Sequence, residues 1–153
     1  MSKLLNRRQI ASFRKRLKRQ KRTLVFTNGC FDIIHEGHIH ILQKAKSLGD
    51  VLVVGVNSDT SVRRIKGRFR PINKESSRVR VLSAIGCVDK ILVFHETTPF
   101  NVLKSLRPDI LVKGADYSFD EIVGAEFASK VVRINLKRGF STTDLIRKIK
   151  NNC

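Results

Sequence analysis

The chain has 153 residues, of which 41% are apolar and 29% charged, a size and balance that suit one soluble globular domain with a proper core. No apolar run reaches the roughly 18–20 residues that cross a bilayer, and the charged N-terminus lacks the apolar stretch of a secretory signal, so a cytoplasmic protein with no membrane span is expected. Cys30, Cys87 and Cys153 show no metal-ligand spacing, which argues against a zinc site or a disulfide framework.

The formal net charge of +18 directs attention to nucleic acid, an anionic membrane surface or phosphate-rich small molecules as partners. Residues 1–22 hold ten Lys/Arg and no acid, and residues 63–80 hold eight against the single acid Glu75. Only Phe13 and Phe69 interrupt these stretches, too few for a base-stacking surface, and nucleic acid is not the expected ligand.

Ile10, Phe13 and Leu17 recur at helical spacing, which assigns Arg14, Lys15, Lys18 and Arg19 to an exposed face. Residues 23–27 read as a short strand followed by the turn signal Asn28-Gly29. A helix is expected over residues 39–48, ended by Gly49 and Asp50. Residues 51–56, VLVVGV, suit a parallel strand covered on both faces. A helix over 76–85, a strand over 91–94, a helix from Pro99 to about Leu106, strands over 110–112 and 131–136 and a helix over 142–149 complete the chain. This alternation implies the α/β class: a single Rossmann-like domain whose parallel sheet carries helices on both faces. Residues 1–22 would form a basic N-terminal helix and arm, and residues 23–153 the domain that carries the chemistry. Ligands in such sheets sit beyond the carboxyl ends of the strands, at the topological switch point.

Three of four chemically suggestive clusters follow expected strands. In Asn28-Gly29-Cys30-Phe31-Asp32-Ile33-Ile34-His35-Glu36-Gly37-His38, two histidines bracket a glycine at the start of a helix. Free backbone N–H groups and the helix dipole there would favour phosphate. Gly37 would let the backbone approach closely, and the imidazoles would donate to phosphoryl oxygens. A pair of surface histidines or half a metal site is the plainer alternative. Ser141-Thr142-Thr143 opens the last helix, and its plainer reading is an N-cap. Lys66-Gly67-Arg68-Phe69-Arg70-Pro71-Ile72-Asn73 reads either as a mobile basic loop or as a charge clamp on phosphates, with Lys66 its best candidate. Leu111-Val112-Lys113-Gly114-Ala115-Asp116-Tyr117 ends a strand, where a turn and a nucleotide-facing role are both open.

The sequence resembles the HxGH nucleotidyltransferase superfamily, in which G-x-F-D precedes H-x-G-H and a hydroxyl-rich S-T-T opens the last helix. Here these are Gly29-Cys30-Phe31-Asp32, His35-Glu36-Gly37-His38 and Ser141-Thr142-Thr143. From residue 11 to residue 150 it is similar to the adenylyltransferase domains of ADP-heptose synthases. The marks are T-N-G-C-F-D at residues 27–32, V-N-S-D at 56–59, K-G-x-x-R-P-x-N at 66–73, L-V-K-G-x-D-Y at 111–117 and S-T-T at 141–143. Two positions depart: Glu36 stands where relatives carry a small residue or proline, and Ser76 where they place an acid.

That resemblance implies transfer of AMP from ATP to D-glycero-β-D-manno-heptose 1-phosphate, with release of pyrophosphate. It implies His35, His38 and Lys66 as catalytic residues. Nucleotide contacts would come from Thr27, Asn28, Gly29, Cys30, Phe31, Asp32, Gly37, Lys113, Gly114, Asp116, Ser141, Thr142 and Thr143. Lys66, Arg70 and Arg78 would bind the substrate phosphate, and Arg138 or Arg147 the triphosphate. Asp32 would orient the helix start or contact the water shell of a metal. Magnesium would arrive with ATP, without direct protein ligands. A separate sugar kinase would supply the acceptor, and a homodimer is left open. Glycerol-3-phosphate cytidylyltransferase, or another cytidylyltransferase of this fold, is the alternative enzyme; a basic nucleic-acid-binding protein is the alternative from another class.

Overall fold

Residues that alternate along the central strands turn to opposite faces of one parallel sheet. The computed structural model describes residues 3–135 and 142–152. Its strands are β1 (Leu24–Gly29), β2 (Val51–Asn57), β3 (Lys90–Phe94), β4 (Ile110–Gly114) and β5 (Lys130–Ile134). The helices are α1 (Ile10–Arg19), α2 (Glu36–Lys46), α3 (Asp59–Lys66), α4 (Glu75–Ala84), α5 (Phe100–Leu106) and α6 (Thr142–Asn151). Strand order is β3-β2-β1-β4-β5 with every pairing parallel. The chain winds outward from β1 to β3 and then returns to lay β4 on the other side of β1. The switch point therefore lies between β1 and β4.

On one face Leu24, Phe26, Val51, Val53, Leu92 and Phe94 pack against Ile10, Phe13 and Leu17 of α1 and Val102, Leu103 and Leu106 of α5. On the other, Val25, Leu52, Val54, Val56 and Ile91 pack against Leu42 and Ala45 of α2 and Leu82 of α4. The two-residue period of the strands thus feeds two apolar layers, and β2, buried at every position, has the apolar run that both layers require. Residues 3–5 run beside the free edge of β3. There Leu5 N–H donates to the Ile91 carbonyl at 2.8 Å and Ile91 N–H to the Lys3 carbonyl at 2.9 Å. This covers an edge that would otherwise present unpaired backbone groups. No described helix is long and apolar enough to cross a membrane.

Four local expectations change. β1 does not turn at Asn28-Gly29: both pair with β2, opposite Gly55 and Val56. The chain leaves the strand at Phe31, whose φ of 48° is a left-handed conformation rare for a bulky residue. Lys66, read as the start of a basic loop over 66–73, instead ends a helix over residues 59–66, which Ser58 caps with its Oγ accepting from Ser61 N–H at 3.2 Å. The helix expected over 39–48 begins three residues earlier, at Glu36, drawn back by a histidine cap. Arg14 is not on the exposed face of α1. It is 8% exposed, and its guanidinium grips both oxygens of Asp109 at 3.0 and 2.6 Å.

Candidate active site

A cavity of about 520 Å³ opens at the carboxyl ends of the strands, within the range of small-molecule sites. Of the residues singled out in the sequence, Thr27, Asn28, Gly29, Cys30, Phe31, Asp32, His35, Gly37, His38, Lys66, Arg70, Lys113, Gly114, Asp116, Thr142 and Thr143 line it. Ser141 and Arg138 lie outside the described residues. Arg147 and Glu36 are exposed and not on the lining.

The histidine motif organises itself. His35 is the N-cap of α2, its Nδ1 accepting from Gly37 N–H at 3.1 Å, and His38 Nδ1 accepts from His35 N–H at 3.4 Å. This reciprocal capping box stacks the rings with centroids 4.0 Å apart. With Nδ1 accepting in both, each neutral ring carries its proton on Nε2 as a donor. Burial lowers His35, and burial together with the neighbouring His35 pushes His38 down to about 4. Both rings are therefore neutral near pH 7. The backbone donors expected here for phosphate are partly taken: Gly37 N–H serves His35, and the N–H groups of His38 and Ile39 point to the His35 carbonyl. Donation from this motif falls to the Nε2–H groups.

Asp32 makes contacts that the sequence did not suggest. Its side chain is 1% exposed. Oδ2 accepts from Arg70 Nε at 2.6 Å and Ile72 N–H at 2.8 Å, while Oδ1 accepts from Asn73 N–H at 2.8 Å. Burial would raise this carboxyl, but the Asn73 and Ile72 N–H groups and the Arg70 guanidinium outweigh it and hold it below the usual range. Asp32 thus fastens the 70–73 loop to the end of β1. Arg70 is held by Nε, and its Nη groups make no hydrogen bond among the described residues. They form a fork suited to a phosphate.

Lys113, at the end of β4, donates to Asn28 Oδ1 at 2.5 Å and lies 5.6 Å from the Tyr117 ring centroid. Burial lowers it to about 8 against the opposing pull of Asp116. Burial raises the Cys30 thiol despite Lys66, Arg78 and Arg70 nearby, so it remains protonated and is no nucleophile at neutral pH.

Arg78 is not brought to the cavity. It is 1% exposed, with Nε donating to the Asn73 carbonyl at 3.0 Å and Nη1 to the Cys30 and Asn57 carbonyls at 2.6 and 2.8 Å. Nη2 meets Asp59 Oδ1 at 2.8 Å. A guanidinium so engaged ties strand ends together and has little left for a substrate phosphate.

The sequence reading named Asn57 only within the V-N-S-D mark and did not single out Thr97, Thr98 and Glu121; all four also line the cavity. Asn57 was recoverable as the last residue of a strand, and Thr97-Thr98 as hydroxyls just past the next one.

The cytidylyltransferase-like family matches residues 26–148. The bifunctional protein HldE of Helicobacter pylori (strain Shi470) is 51% identical over 137 residues, which cover 90% of this chain and 30% of that protein; the chain thus spans under a third of the curated relatives it matches. The crystal structure of a lipopolysaccharide core biosynthesis protein from Thermoplasma volcanium GSS1 superposes with a TM-score of 0.64 at 38% identity, covering 76% of this chain and 98% of that one. A pantoate-beta-alanine ligase from Francisella tularensis, at 17% identity, shares the fold alone, with a TM-score of 0.65 over 98% of this chain and 77% of its own. With its histidines, strand-end lysine and last-helix threonines on one cavity, this chain belongs to the cytidylyltransferase-like family and is a nucleotidyltransferase domain.

Proposed function

We propose that the domain transfers AMP from ATP to D-glycero-β-D-manno-heptose 1-phosphate. The supporting observation is convergence: residues 27–32, 56–59, 66–73, 111–117 and 142–143, which carry the resemblance to heptose-phosphate adenylyltransferases, each place at least one side chain on the same cavity. The kinship with a lipopolysaccharide core biosynthesis protein and with HldE supports the same choice of acceptor.

An acceptor phosphate oxygen attacks the α-phosphorus in line. The new P–O bond forms as the bond to the bridging oxygen breaks, and pyrophosphate leaves with that electron pair. The acceptor oxygen is already ionised, so no general base is required; positioning and charge stabilisation carry the rate. His35 and His38 donate Nε2–H to α-phosphoryl and departing oxygens. Lys66 and the Arg70 fork hold the acceptor phosphate, and Thr142 and Thr143 lie on the triphosphate side. No group of three or more His, Cys, Asp or Glu among the described residues is arranged to hold a metal. Magnesium would enter with ATP, and its charge would offset that of the triphosphate. A sugar-kinase reaction supplies the acceptor.

Lys113 gives the reaction a pH signature. Its folded value of about 8 means that the ammonium is present below that pH and lost above it. If the cation meets the nucleotide, kcat/KM for ATP should fall on an alkaline limb near pH 8, since kcat/KM reports the free enzyme. Lys113→Arg should abolish the limb, whatever its effect on the plateau. An unchanged limb in that variant removes Lys113 from nucleotide binding.

Acceptor and base choice are tested by pyrophosphate release with ATP or CTP crossed against heptose 1-phosphate and glycerol 3-phosphate. ATP should exceed CTP with heptose 1-phosphate by at least about tenfold in kcat/KM, equivalent to roughly 1.4 kcal/mol. A CTP preference rejects the adenylyl assignment and leaves nucleotidyl transfer standing.

A further inference from the structure

Thr97 and Thr98 follow β3 on the side of the cavity away from β4. Neither hydroxyl has a hydrogen-bond partner among the described residues. Nor is Thr98 occupied as a cap: α5 starts behind Pro99 without a side-chain cap. The backbone that presents the pair is firmly held. Ser58 N–H donates to the Phe94 carbonyl at 2.9 Å, Ser61 Oγ to the Glu96 carbonyl at 2.6 Å, and Asn57 Nδ2 to Ser61 Oγ at 2.9 Å. The Glu96 carboxylate in turn accepts from Arg7, from His95 N–H at 3.0 Å and from Asn101 Nδ2 at 3.3 Å. Two unspent hydroxyls on a pinned loop are preorganised donors and acceptors.

Sheet order says what they face. The histidines lie past β1 at the centre. Lys113 and Asp116 lie past β4 on one side; Asn57, α3 with Lys66, and then Thr97-Thr98 lie past β2 and β3 on the other. We infer that Thr97 and Thr98 bind hydroxyls of the acceptor sugar and help to select a polyhydroxylated sugar phosphate, while the nucleotide occupies the β4 side. This rests on the function proposed above. Lys66, Arg70, Thr97 and Thr98 line one cavity, so a phosphate held by the two cations would leave its sugar in the space these hydroxyls face, where hydroxyl-to-hydroxyl hydrogen bonding distinguishes a polyol from a smaller or less hydroxylated acceptor.

Thr→Val keeps the branched shape and removes the hydroxyl. Thr97→Val, Thr98→Val, the double variant and Thr98→Ser in the full chain should be compared by pyrophosphate release, with ATP and heptose 1-phosphate varied in turn. Each valine should raise the acceptor KM by about 5–10-fold and the double by about 30-fold or more, the scale of lost neutral hydrogen bonds. The KM for ATP should stay within about twofold, and Thr98→Ser should remain near wild type, since it keeps the hydroxyl that a purely structural role would not single out. A wild-type acceptor KM in the double variant overturns the inference while leaving the proposed function intact, and a rise confined to the KM for ATP assigns the loop to the nucleotide and overturns it equally. Wild-type protein that releases no pyrophosphate with this substrate pair removes the proposed function and the subsite together.

Discussion

Replacing His38 by alanine is expected to lower kcat by about 10²-fold or more, the loss that follows removal of one preorganised donor to developing charge. His35→Ala should do the same and also cost about 1 kcal/mol of stability, because His35 is the N-cap of α2. His35→Asn separates the two roles. Asparagine accepts a backbone N–H as a cap, yet offers nothing where the imidazole Nε2–H stood, so its melting temperature should stay near wild type while kcat falls as in the alanine variant. Full turnover in His35→Asn and His38→Ala would take the histidine pair out of the mechanism.

Arg78→Ala is expected to damage the fold rather than acceptor binding. The guanidinium joins the carbonyls of Cys30, Asn57 and Asn73 and the carboxylate of Asp59, which belong to the ends of β1 and β2, the 70–73 loop and the first turn of α3. Truncation leaves three carbonyls without this donor and Asp59 without its partner, at a cost of about 3–5 kcal/mol. For a domain of this size the melting temperature should fall on the order of 10 °C. Arg78→Lys should recover only part of this, since one ammonium cannot reproduce a planar fork with four acceptors. Thermal unfolding followed by circular dichroism, beside acceptor KM at a temperature where the variant is folded, decides the matter. A large KM effect without loss of stability would return Arg78 to the substrate.

The architecture was legible because the strands advertise themselves. The run at residues 51–56 had to be buried on both faces, and four glycine-, histidine- or hydroxyl-bearing segments fell at strand or helix ends where an α/β sheet binds ligands. What stayed hidden depended on contacts distant in sequence. Helix α3 offers only Val62 and Ile65 as an apolar pair amid Arg63, Arg64 and Lys66, a pattern indistinguishable from a basic loop until Ser58 is seen to cap it. Arg70 and Arg78 look alike eight positions apart; one is clamped by Nε, its fork making no hydrogen bond among the described residues, the other consumed by three carbonyls and a carboxylate. Asp32 sits in a motif that suggests metal or helix, but its partners are backbone N–H groups some forty residues on. The self-capping of the histidines was equally out of reach, because spacing alone does not say which ring nitrogen is taken.

Adenylyl transfer to a sugar phosphate is tested most directly by the phosphorus-31 spectrum of the products formed from ATP and heptose 1-phosphate. One diphosphate diester, with two mutually coupled resonances, and one equivalent of pyrophosphate should appear together, while the heptose 1-phosphate signal declines at the same rate. Formation of ADP with orthophosphate or with a doubly phosphorylated sugar, or consumption of ATP to AMP and pyrophosphate while heptose 1-phosphate persists, would contradict the assignment.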